Sequence, residues 1–73
     1  MKTIQPTPGL TIKFKYCGKT VIGQVKTIVS GHMSCYLLRD YISNAGKQHK
    51  AGEKQLFILK DLTDVSLFDE SIQ

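Results

Sequence analysis

Alanine, cysteine and proline occur only twice each in this 73-residue sequence, and no apolar stretch approaches the length of a membrane span. Two alanines against four valines, seven isoleucines and six threonines are poor material for a helical bundle, because alanine is the best helix former and branched residues suit a pleated sheet. Cys17 and Cys35 allow at most one disulfide, which excludes a multiply stapled scaffold and sets the expectation of a cytoplasmic protein with reduced thiols. A secretory leader needs an apolar core of about 7 to 15 residues and a membrane helix about 20, whereas Met1, Lys2 and Thr3 lead into polar residues. No membrane partner is expected. The length holds one hydrophobic core and no second lobe.

Acidic residues are scarce in the first fifty positions. Asp40 is the one acid there, against Lys2, Lys13, Lys15, Lys19, Lys26, Arg39, Lys47 and Lys50, whereas the rest of the chain carries Lys54 and Lys60 against five acids. The net charge of +4 therefore hides a basic body and an acidic end, a layout that suits contact with a polyanion. A plain solvated surface is the competing explanation of so modest an excess. Val, Ile, Leu and Phe make up about 29% of the chain, above the roughly 20% below which chains stay disordered. At this size the stability margin is small, and a partner or homo-oligomer would add to it.

Pro6 and Pro8 mark residues 1–8 as an extended arm, and a domain follows over 9–70. Leu10, Ile12, Phe14 and Tyr16 alternate with Thr11, Lys13 and Lys15, which predicts a strand with one apolar and one basic face. A turn at Cys17, Gly18 and Lys19 leads to a β-branched strand over 20–29, in which Gly23 permits a bulge or bend. After Ser30, Gly31 and His32, residues 33–42 predict a long third strand with apolar groups on both sides near Cys35 to Leu38. Residues 43–54 hold three lysines and no large apolar group, and read as an exposed loop. Residues 55–60 read as a strand covered on both faces, followed by a single turn at 61–64 and a fifth strand at 65–68.

Five short strands, a glycine in the second, a long third and a one-turn 3₁₀ element before the last resemble a small barrel of the Src-homology-3-like type. Gly18, Lys19, Thr20, Val21, Ile22, Gly23, Gln24, Val25, Lys26, Thr27 and Ile28 are similar to the glycine-valine-isoleucine hairpin of its KOW and Tudor-like branches, and Ile58 to Leu67 to its closing strand, turn and strand. The expected fold is thus all-β, a single five-stranded Src-homology-3-like barrel. The resemblance implies a binding module rather than an enzyme, one that takes nucleic acid, a ribonucleoprotein surface, a peptide or a protein. Tryptophan is absent, a departure from the peptide-binding branches.

The candidate nucleic-acid-binding residues are Lys13, Lys15, Lys19, Lys26, Arg39, Tyr41, Lys47, Lys50 and Lys54. Lys13 and Lys15, two apart on a strand, share a face, and pairing brings Gln24 or Lys26 beside them; the loop lysines extend the patch if the loop folds the same way. Lysines on a strand also protect sheet edges from aggregation, and that alternative stands beside the binding role. Tyr16 and Tyr36 are expected in the core, while Tyr41, sharing strand parity with Arg39, is expected to be exposed for stacking on a base. Cys17, His32, Cys35 and His49 lack the paired spacing of a zinc site, so neither metal nor cofactor is expected. Neither histidine has a serine or carboxylate at a recognisable spacing, so no catalytic residue is assigned. The expected function is a non-enzymatic small barrel that uses the basic strand face and the 43–54 loop to grip DNA, RNA or a ribonucleoprotein surface. The first alternative is an inhibitor or adaptor of a phage or mobile element that docks on a host protein. A minor alternative is a metal-free ribonuclease toxin using His49 or His32.

Overall fold

Alternating burial over Thr11–Tyr16 forms strand β1 in the computed structural model, which describes residues 4–43 and 45–68. The remaining strands are β2 (Lys19–Val29), β3 (His32–Leu37), β4 (Tyr41–Ile42), β5 (Gln48–His49), β6 (Lys54–Ile58) and β7 (Leu62–Leu67), with a 3₁₀ turn at Leu59–Asp61 between the last two. Five of them make an antiparallel sheet in the order β6-β3-β2-β1-β7, and β4 pairs with β5 in a separate two-stranded ribbon. The architecture is all-β, with the 3₁₀ turn before the last strand. Among the described residues no helix is long and apolar enough to cross a membrane.

Two hairpins set the register. Cys17 and Gly18 take φ values of 51° and 81°, Ser30 and Gly31 of 50° and 77°. Positive φ at both central residues is the turn whose twist matches that of paired strands, and glycine at its second place relieves the strain. Tyr16 is thereby set opposite Lys19, and Val29 opposite His32. Ile12 and Phe14 from β1, Val21 and Val25 from β2, Met33, Cys35 and Leu37 from β3, Phe57 from β6 and Val65 from β7 all point to one side and are buried. The sheet curls around this core until the Phe57 ring on one edge strand meets Phe14 and Tyr16 on β1, edge to face at 5.1 and 5.0 Å between centroids. Such aromatic pairs contribute about 0.5–1.5 kcal/mol beyond their buried area.

Five expectations for the elements are corrected, the first being that the single turn falls at Leu59–Asp61 rather than 61–64 and the last strand begins at Leu62 rather than 65. The third strand does not run to residue 42. It stops at Leu37, the chain turns through Arg39 and Asp40, and the Asp40 carboxylate accepts the Ala51 N–H at 2.9 Å, which fixes the turn. Residues 43–54 are not a bare loop, because Gln48 and His49 pair with Ile42 and Tyr41 and the His49 ring is buried. The strand near 55–60 ends at Ile58 and is covered on one face only: Leu56 is 61% exposed, Phe57 buried. Gly23 is not the bulge. The register between β2 and β3 slips between Val25 and Thr27, at Lys26, and Gly23 serves instead to let the backbone of Tyr36 come close.

The arm over 1–8 is described from Ile4 onward. Its Ile4 N–H donates to the Val65 carbonyl at 3.1 Å, and Ile4, Pro6, Leu59, Leu62 and Val65 line a shallow hollow of about 240 Å³ there. The arm thus covers part of the outer edge of β7. At the other edge, β6, the Ile58 N–H donates to the Tyr16 hydroxyl at 3.3 Å.

Candidate nucleic-acid interface

Side chains directly opposite one another in a sheet project to the same side, so register alone assigns the face away from the core. Lys13 stands between Ile22 and Ser66, and Lys15 between Thr20 and Thr63. One row further, Thr11, Gln24, Tyr36 and Lys54 follow one another across β1, β2, β3 and β6. Lys26, freed from pairing by the bulge, extends over the Tyr36 ring with its ammonium 5.9 Å from the centroid. Lys13, Lys15, Lys26 and Lys54 therefore share the outer face around Tyr36. None of their register partners is acidic; Asp64 lies in the β7 irregularity between the partners of Lys15 and Lys13, and among the described residues none of the four lysines forms an ion pair. An ammonium group outside an ion pair stays available to neutralise a phosphate.

The other candidates lie elsewhere. Lys19 shares strand parity with buried Val21 and sits at the tip of the first hairpin, toward the core side. Arg39 reaches from the β3–β4 turn to the Phe68 ring, 5.6 Å from guanidinium carbon to centroid. Lys47 and Lys50 belong to the β4–β5 ribbon and its following turn, outside the rows of the five-stranded sheet.

Tyr36 and Tyr41 exchange their expected places. Tyr41 is only 8% exposed, stacked on His49 at 5.9 Å and edge-on to Phe57 at 6.1 Å. Burial pushes its hydroxyl pKa above the ordinary value, with the neighbouring Cys17 and Tyr16 adding to the rise. It therefore offers no ring to a base. Tyr36, expected in the core, is 38% exposed because its neighbours Cys35 and Leu37 take the inward positions opposite Val25 and Gly23. No local signal in the sequence marks this position, because its pairing with the polar residue Gln24 follows only from the register of β3 on β2.

The β4–β5 ribbon closes the core side of the sheet. His49 Nδ1 donates to the Glu53 carboxylate at 2.6 Å, and Gln55 Nε2 donates to the same oxygen at 2.7 Å. The His49 hydrogen bond, aided by the Lys50 N–H, holds the Glu53 pKa below its ordinary value against the opposing effect of burial. Among the described residues no group of three His, Cys, Asp or Glu side chains is arranged to hold a metal ion. Cys17 and Cys35 are both free, the first exposed and the second buried. Compared with protein families, with curated proteins and with solved structures, the chain matches none.

Proposed function

We propose that this chain is a small Src-homology-3-like module that binds nucleic acid through the outer face of β1, β2, β3 and β6. Supporting the barrel reading are the order of the strands, the return of the last strand to pair with the first, and the 3₁₀ turn that joins the two edges of the curled sheet. Supporting the binding reading is one observation above all: Lys13, Lys15, Lys26 and Lys54, from three separate strands, share one face without an acidic partner in the register. Each phosphate neutralised releases counterions, so four contacts to a single strand predict a slope of log affinity on log salt of about −3. Titration of a labelled oligonucleotide at several salt concentrations measures it. A salt-independent affinity, or no binding at low salt, rejects the reading.

A second reading, a docking module for another protein, is favoured by the edge strand β6. Leu56 is 61% exposed and Val29 66%, with Ile58 beside them on the same outer side. Ladder alternation, anchored by the Ile58 N–H turned to Tyr16, leaves the backbone groups of Lys54 and Leu56 facing away from β3. An edge of this kind accepts an added strand. A partner that stays bound in cell extract after nuclease treatment and at high salt is the result that distinguishes it.

A further inference from the structure

We infer that the nucleic acid taken by this face is single-stranded and that Tyr36 is the residue on which one of its bases stacks. The inference rests on the nucleic-acid reading and goes beyond it in naming the strand state and the contact. Tyr36 lies in the interior of the lysine group rather than at its rim: Lys54 is its register partner on one side, Gln24 on the other, and Lys26 leans over the ring. As a residue Tyr36 is more than one-third exposed, on a face where neighbouring positions carry Gln24, Ser34 and Leu56. An exposed aromatic ring flanked by ammonium groups matches the two demands of a single strand, a flat apolar surface for an unstacked base and cations for the phosphates on either side.

Shape argues against a duplex. The four strands that carry the lysines and Tyr36 span three interstrand steps, about 14 Å before side chains are added. The B-form major groove, roughly 12 Å wide, admits a helix or a two-stranded ribbon, and the minor groove is narrower. Such a face meets a duplex only at its phosphates, where every base is already stacked and Tyr36 has nothing to cover. A single strand laid across the sheet uses both features together. Stacking is indifferent to base identity, so the contact implies little sequence preference. Gln24, beside Tyr36 with an amide that both donates and accepts, is placed to hydrogen-bond a base edge.

The test compares a fluorescent homothymidine oligonucleotide of about 12 nucleotides with a duplex of the same length, using the intact chain, Tyr36→Ala and Tyr36→Phe. The expected result is tighter binding of the single strand, a loss of about 5- to 150-fold for Tyr36→Ala, retention in Tyr36→Phe, and an unchanged salt slope in all three. Upfield shifts of the Tyr36 ring-proton resonances on adding oligonucleotide to the wild-type chain test stacking without any substitution. Equal affinity of Tyr36→Ala for the single strand, unshifted ring protons, or preference for the duplex overturns the inference and leaves the nucleic-acid reading intact. Binding of neither probe at low salt overturns both.

Discussion

Gly23 and Tyr36 lie so close that a Cβ placed on Gly23 would stand 2.9 Å from the Tyr36 carbonyl oxygen and 3.3 Å from the Cys35 Cβ. Gly23 faces the core between Ile12 and Leu37, and its missing side chain is what lets β2 and β3 approach there. The strand that carries Tyr36 on its outer face is thus seated by a hydrogen atom on its inner one. The obstacle to any larger residue is backbone, which cannot rotate away.

Gly23→Ala is expected to destabilise the fold by about 1–3 kcal/mol, the usual range for an overpacked site. Urea unfolding followed by circular dichroism measures the change. A variant of unaltered midpoint would show that the two strands have room to spare.

The two thiols are expected to behave differently toward a thiol reagent. Burial pushes Cys35 from 9.0 up to about 12, so at neutral pH it remains a protonated, inaccessible thiol, while exposed Cys17 reacts. One equivalent of label is expected under native conditions and two in denaturant. The sign of the linkage follows: the folded value lies above the unfolded one, so this contribution to stability is complete below about 9 and is lost as pH rises toward about 12.

For Glu53 the sign is opposite. His49, first among its partners, holds the folded carboxyl below the ordinary 4.5, so its contribution is present above that value and disappears as pH falls through the lowered one. Glu53→Gln is expected to be less stable than the wild-type chain at neutral pH, with the gap closing in acid. Urea midpoints for both chains across an acid series provide the check, and a constant gap would mean that the His49 hydrogen bond does not discriminate between the charged and neutral carboxyl.

Charge reversal separates the candidate lysines. Lys13→Glu with Lys15→Glu is expected to weaken oligonucleotide binding at least tenfold and to flatten the salt slope by about 1 to 2. Lys47→Glu with Lys50→Glu, on the separate ribbon, is expected to change affinity several-fold less. Anisotropy titrations of the two double variants at matched salt decide it. Equal losses would mean that total charge rather than the outer face governs attraction.

Local rules were enough for much of this protein. The alternation from Leu10 to Tyr16, the glycines at both hairpin turns and the branched run of β2 follow from pleat geometry and turn chemistry, which act between residues near in the chain. Lys13 and Lys15 were placed on one face by that same two-residue period. The fate of the tyrosines was not readable in this way. Residues 35–38 are apolar on both sides, so either parity was open until Val25 and Gly23 on β2 drew Cys35 and Leu37 inward and left Tyr36 outside. Beyond Leu37 the parity count restarts, because Asp40 bonds to Ala51, eleven positions on, and turns Tyr41 back over Phe57. Lys54 joined Lys26 and Lys13 only through the register of β6 on β3 and the slip at Lys26, which are pairings between distant segments. Periodicity states which residues share a side of one strand; which strands lie side by side, and where one slips, is settled only when the whole core packs.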